Sequence, residues 1–314
     1  MAAANPSRRL APAALGWHFV TSLVSGLEPA ARGQLGLCLA DPSLSHPRPV
    51  LCVTFGSSSN VAYSGGLDRR IREWNLETGE CRVLGKHDDA VSSLAWIPEH
   101  NLLVSGSWDR TLKIWDPSAE EPLRSTSSMP ERIYNIVYTP ATAKVLVSMA
   151  HRHVSVYGTY ELANAAKEGR EAKPDHTRES ALKMLTRAVA PMADGKGWAS
   201  ASIEGRIAVE YFDPDPSAQA MKYAFRAHRA TVNGQEQVYP INALAYHPIA
   251  KKRMRLYPSY PTAISALAFS PDGTKLAIGV SYEHDNAVSN PEDQTRVLLL
   301  LKETVMDECK PKAR

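Results

Sequence analysis

The chain has 314 residues, enough for about two ordinary domains or for one closed ring of repeats. Hydrophobic residues make up 44% and charged residues 22%, which provides for a sizeable core and excludes disorder over the whole length. The net charge of +3 predicts no bulk attraction to nucleic acid, so any basic site must be local. No apolar run approaches 18 residues, so no membrane-spanning helix is expected. The four cysteines, Cys38, Cys52, Cys81 and Cys309, have no CxxC spacing. They suggest neither a zinc module nor a disulfide framework, and a reducing compartment is expected.

Residues 1–45 are rich in Ala, Pro, Leu and Ser. Arg8 and Arg9 precede an apolar stretch, Leu10–Leu27, in the manner of a secretory signal. Pro12, Trp17 and His18 interrupt it, and no small-residue cleavage pattern follows. The expectation is a poorly structured extension.

From residue 46 the chain repeats. His46, Ser64, Asp68 and Trp74 recur 41 residues later as His87, Ser105, Asp109 and Trp115. A period of 40–45 with an early His and a late Trp is the signature of WD repeats, one four-stranded propeller blade per period. In such a blade the four side chains form a hydrogen-bonded chain. The turn Asp accepts from the His and from turn amides, and the Ser links the His to a buried indole N–H. His87 is therefore expected to bond within the core rather than to bind metal. The His151-Arg152-His153 run has no third ligand nearby and reads as a solvated turn.

Weaker copies follow. The segments 91–106, 241–248 and 264–279 each open with an alternating apolar strand that reaches a proline turn. Tyr157 stands at the Trp place of the third repeat, while Glu204 and Glu210 fill the Asp and Trp places of the fourth. That fourth blade has lost its tetrad, which leaves its polar residues for another use. The polar stretch 159–181 is expected to be a charged loop between blades.

The repeat also breaks. Ile241 and Ile264 open equivalent strands only 23 residues apart, so about 18 residues of the period are absent between them. No blade is recognisable before His46. The expected fold is an all-β WD-repeat propeller over residues 46–301, lacking a first blade and part of a sixth. A basic, disordered tail is expected over 302–314, with its cations Lys302, Lys310, Lys312 and Arg314 widely spread.

The stretches "SIEGRIAVEYFDP" (202–214), "KYAFRAHR" (222–229) and "VYPINALAYHP" (238–248) resemble spindle-checkpoint WD-repeat proteins of the Bub-three type. "YSGGLD", "GSWDRTLKIWDP" and "RESALKMLTR" fit the same family, and its relative of the Rae-one, mRNA-export type shares the Glu-Gly-Arg and His-Arg elements. The resemblance covers about residues 46–300. It implies a seven-bladed scaffold without catalysis, cofactor or metal. It also implies partners: checkpoint kinases and adaptors bearing the short GLEBS motif, and a kinetochore scaffold with phosphorylated Met-Glu-Leu-Thr repeats. The expected setting is the nucleus, and the kinetochore in mitosis, as a monomer within a larger complex. By the same resemblance Arg187, Arg206 and Arg229 meet a glutamate pair of the partner motif on the top face, with Lys183 and Trp108 as further contacts. Neither a membrane nor direct nucleic acid is an expected partner. The alternative is an export adaptor that binds a nuclear-pore protein.

The residues point the same way independently. Arg206 follows the Asp place by two, near the rim where inner strands turn. Three arginines without adjacent acids would offer forked donors to carboxylate or phosphate. Trp108 immediately precedes the turn Asp and is expected to project from the rim as an interface anchor. A propeller enzyme needs converging acids or a metal triad near the axis, and the sequence presents none. An export role needs a basic surface beyond the peptide pocket, which +3 disfavours.

Overall fold

A computed structural model describes residues 46–249, 260, 263–280 and 298–304. The extension over 1–45, the stretch 250–259 and most of the tail lie outside the described residues.

Strands dominate, each sheet antiparallel and built from consecutive strands. The first contains β1 (Val50–Phe55), β2 (Val61–Gly66), β3 (Arg70–Asn75) and β4 (Cys81–Lys86). The second contains β5 (Val91–Ile97), β6 (Leu102–Ser107), β7 (Thr111–Trp115) and β8 (Leu123–Ser128). The third contains β9 (Ile133–Thr139), β10 (Lys144–Met149), β11 (His153–Gly158) and β12 (His176–Glu179). The fourth contains β13 (Thr186–Pro191), β14 (Gly197–Ser202), β15 (Arg206–Tyr211) and β16 (Tyr223–Arg226). A hairpin of β17 (Arg229–Val232) and β18 (Gln235–Val238) follows. The last sheet has β19 (Ile264–Phe269), β20 (Lys275–Val280) and β21 (Leu298–Glu303). β21 includes Lys302, so the first residues assigned to the tail are strand.

The first four sheets pack face to face in chain order, and their second strands are buried. β6 and β14 have no exposed position, which is why they read as Leu, Val, Ala, Ser and Gly rather than as an alternation. Small residues let the sheets approach. A Cβ on Gly106 would lie 2.5 Å from the Ile133 methyl of the next sheet. The first strands β1, β5, β9, β13 and β19, together with Asn242, Ala243 and Leu244, surround an axial cavity of about 160 Å³. This is a β-propeller, with five sheets around the axis among the described residues rather than the family's seven. Residues 240–249 form no strand, so among the described residues the blade that Ile241 would open is not completed.

That segment keeps the place of a first strand without the pairing of one. Residues 240–247 form no strand, although the Ile241 amide bonds the Ser202 carbonyl at 3.3 Å. His247 anchors its end: the ring contacts the Gly273 carbonyl through Nε2 at 3.0 Å and packs edge-on to Phe269. Beside it β16 is exposed along its whole length, and Tyr223 and Phe225 stack together in solvent at 54% and 43% exposure. These rings lie on a face that the next blade of a propeller ordinarily covers.

The stretch expected to be an inter-blade loop holds a helix, α1 (Thr159–Glu168), which packs Leu162, Ala163, Ala165 and Ala166 into the core. Its apolar residues recur at helical spacing, and Gly169 ends it in the left-handed conformation. A second, short helix, α2 (Pro216–Ala220), starts on Asp215, whose carboxylate accepts from the Ser217 amide.

Uncovered aromatic surface beside an open strand edge promotes association. The double variant Tyr223→Thr, Phe225→Thr should therefore aggregate less at high concentration by light scattering. Its melting temperature should stay near that of the parent, because the rings it removes are exposed.

Candidate functional site

The second blade contains the complete tetrad. His87 Nε2 is 2.7 Å from Ser105 Oγ, and Trp115 Nε1 donates to the same oxygen at 2.8 Å. His87 Nδ1 meets Asp109 Oδ2 at 2.9 Å. Asp109 also accepts from the Asp88 amide and from the amide and hydroxyl of Thr111. The chain of bonds ties the corner between blades to the turn between β6 and β7. Burial pushes the His87 ring down from its usual value, against the pull of Asp109. Burial alone would raise the Asp109 carboxyl, yet bonds from His87, Thr111 and the Asp88 amide outweigh it and hold the carboxyl well below its usual range.

The first blade varies this scheme. His46 Nε2 is 2.9 Å from Ser64 Oγ, which accepts from Trp74 Nε1 at 2.6 Å. Asp68 does not reach the ring directly and stands 4.0 Å from it. Arg72, buried to 6% exposure, bridges them by pairing with Asp68 and lying 3.1 Å from His46 Nδ1. Burial, and next the Arg72 charge, lower the His46 pKa to about 4.

The fourth blade replaces the tetrad. Glu210 is 2% exposed, and it accepts from the Ser180 hydroxyl at 3.2 Å and the Ala181 amide at 3.3 Å. Burial pushes its carboxyl above the usual range. The residue freed from the Trp place thus pins the corner loop 180–185, and Lys183 is exposed on that loop with Met184 and Leu185.

Of the five expected contact residues, Lys183, Arg187 and Arg206 lie on this blade and its corner loop, and Arg229 opens the hairpin that follows. The Ile203 amide bonds the Leu185 carbonyl, which joins the Lys183 loop to the turn before Arg206. The amides of Ala227 and His228 both bond the Gly205 carbonyl, and Arg229 Nη2 lies 3.5 Å from the Glu204 carbonyl. Gly205 has φ +67°, and a Cβ there would lie 2.6 Å from the His228 carbonyl oxygen and 2.9 Å from that of Tyr239. Only glycine fits where these segments converge. Arg187 sits at a break in register between Thr186 and Ala188, a bulge of the kind that re-aims a side chain. The same break recurs in β1, β5 and β19, at the cavity's edge.

Two expectations need correction. Arg229 does have an acid beside it: the hairpin turns back and places Glu236 Oε2 3.0 Å from Arg229 Nη1. The seven-residue separation concealed a contact made across β17 and β18. Trp108 does not project freely. It is half-buried with its indole N–H buried and unpaired, on the β6–β7 turn two blades away from the arginines. Leu67 and Ile203 precede the turn acids of their own blades as Trp108 does, and both are exposed. The 41-residue register would have found Leu67. Arg226 was also missed; it pairs directly opposite Arg206 across β15 and β16.

Among the described residues no group of three or more His, Cys, Asp and Glu is arranged to hold a metal ion. Linked tetrads and a furnished rim define a WD-repeat propeller. Residues 41–75 and 79–116 match the family described as WD domain, G-beta repeat. The chain is 36% identical over 275 residues to the mitotic checkpoint protein BUB3.1 of Arabidopsis thaliana, covering 80% of this chain and 77% of that one. It is 30% identical to the mitotic checkpoint protein bub3 of Dictyostelium discoideum, covering 85% and 83%. To the poly(A)+ RNA export protein of Schizosaccharomyces pombe it is 28% identical, covering 86% and 79%. The chain belongs to the Bub3/Rae1 family of WD-repeat proteins.

Asp109→Ala should cost about 1–3 kcal/mol, the penalty for stranding buried donors, and lower the melting temperature. Asp175→Ala, in an exposed loop, should leave it unchanged. Stability should also fall on acidification. His46, His87 and His176 all have lowered folded pKa values. The unfolded chain therefore binds more protons just below pH 6.5, and stability falls as the pH drops from there towards the folded pKa values. Glu210, with a raised carboxyl, opposes this trend between its unfolded value of 4.5 and its folded one. Thermal melts from pH 7.5 to 4.5 should show the decline, and Glu210→Gln should steepen it.

Proposed function

We propose that this protein is a non-catalytic adaptor of the spindle assembly checkpoint whose top rim binds acidic segments of partner proteins. The observation that carries this reading is the convergence of Lys183, Arg187, Arg206 and Arg229 where one glycine turn meets two corner segments. Guanidinium groups suit carboxylate and phosphate because their forked donors match two oxygens at once. The exposed Met184, Leu185 and Ile203 beside them supply an apolar floor, and Trp108 carries an indole N–H without an acceptor. Such a mixture of aromatic, apolar and arginine contacts is what peptide-binding rims use.

The partners that fit are GLEBS-bearing checkpoint kinases and adaptors and the phosphorylated Met-Glu-Leu-Thr repeats of a kinetochore scaffold, in the nucleus and at mitotic kinetochores. Relatives named as mitotic checkpoint proteins support this choice. The export reading, with a nuclear-pore partner, draws support from the relative named as an RNA export protein.

A synthetic peptide with a Glu-Glu core of the GLEBS type should bind in calorimetry. Arg206→Ala should weaken it by about 1.5–3 kcal/mol, the range for charge-assisted bonds, with the melt unchanged because the side chain supports little of the core. Undiminished binding by the variant would remove the arginine site. Tight binding to a nuclear-pore peptide, with none to checkpoint peptides, would favour the export role.

A further inference from the structure

The arginine cluster on the fourth blade has one carboxylate of its own. Arg206 and Arg226 are register partners across β15 and β16, so two cations stand directly opposite on the rim. Like charges in that relation oppose sheet pairing. The Arg206 side chain has no hydrogen bond or ion pair among the described residues. Glu236 serves the other two arginines, with Oε2 3.0 Å from Arg229 Nη1 and Oε1 3.8 Å from Arg226 Nη1. Two of the three cations share one acid.

The two sides of this contact are unequal. Arg229 is 19% exposed, held against the Glu204 carbonyl, with its Nε buried and unpaired. Glu236 is 52% exposed on β18, whose positions are all exposed and whose backbone pairs only with β17. The cation is largely buried and still short of acceptors, whereas the carboxylate is half-exposed.

We propose that Glu236 is a built-in counter-ion of the acidic-peptide site, displaced from Arg229 and Arg226 by an incoming carboxylate. This rests on the adaptor reading above. A consequence is selectivity between ligands. A segment with one acid merely exchanges for Glu236 and gains little. A segment with two adjacent acids satisfies Arg206 as well, so the resident carboxylate penalises the singly charged competitor.

Calorimetry of the full chain with three synthetic peptides, carrying Glu-Glu, Glu-Gln and Gln-Gln cores, tests this. Glu236→Gln should bind the Glu-Gln peptide about two- to fivefold more tightly, the factor a half-exposed ion pair is worth, and should narrow its disadvantage against Glu-Glu. Arg226→Ala should weaken the Glu-Glu peptide severalfold at an unchanged melting temperature. Inorganic pyrophosphate, a probe independent of peptide sequence, should follow the same order across the variants. Unchanged affinities for Glu236→Gln and Arg226→Ala, with Arg206→Ala weakened, would overturn the counter-ion while sparing the site. Undiminished peptide binding by Arg206→Ala would overturn the site itself. Absence of binding by peptides and pyrophosphate alike would overturn both.

Discussion

A buried indole N–H is costly without an acceptor, and the first two blades are arranged around that cost. Trp115 and Trp74 bury their rings between sheets, and a serine on the neighbouring strand meets each N–H. The serine oxygen is in turn held by a histidine from the corner between blades. Corner and turn are thereby fixed relative to one another at the same end of the sheet. The rim turns of these two blades are thereby tied by hydrogen bonds to the strands beneath.

The fourth blade shows what happens when that chain is given up. Its Trp place holds Glu210, and the corner has Ser180 where the second blade has His87. A carboxylate buried to this degree cannot stay unbonded, so it gathers the Ser180 hydroxyl and the Ala181 amide. The corner loop is pinned as before, by different chemistry. Its outward residues, Lys183 to Leu185, are then free to differ from those of the tetrad blades. The basic group stands on the blade where the standard core bond is missing.

How much of this was legible follows from what a repeat can encode. The tetrads of the first two blades were readable because four residue types recur at one offset, and chance does not reproduce that. The arginines of the fourth blade were readable as single positions. Their environment was not. Glu236 meets Arg229 across a hairpin, and Arg226 meets Arg206 across a register that only strand pairing sets. Arg72 replaces direct contact between Asp68 and His46 at a position where the repeat carries Lys113, so period alone could not distinguish a buried bridge from a surface cation. Helix α1 lay in a polar segment whose composition already favoured helix. Its apolar stripe is largely alanine, which is too weak a signal to separate from a charged loop.

Gly205 gives the rim a property of a different kind. The corresponding left-handed positions of the first three blades are occupied by Arg69, Arg110 and Arg152, so a side chain is accommodated there. At Gly205 two carbonyl oxygens close over the missing side chain. The turn is a keystone: the corner segment, the hairpin and the arginine-bearing strand are all set against one atom that is not there. Drift at this position cannot adjust specificity by degrees, because any side chain separates all three segments at once. Residues around the turn can vary to suit new partners, while the turn itself admits a single solution.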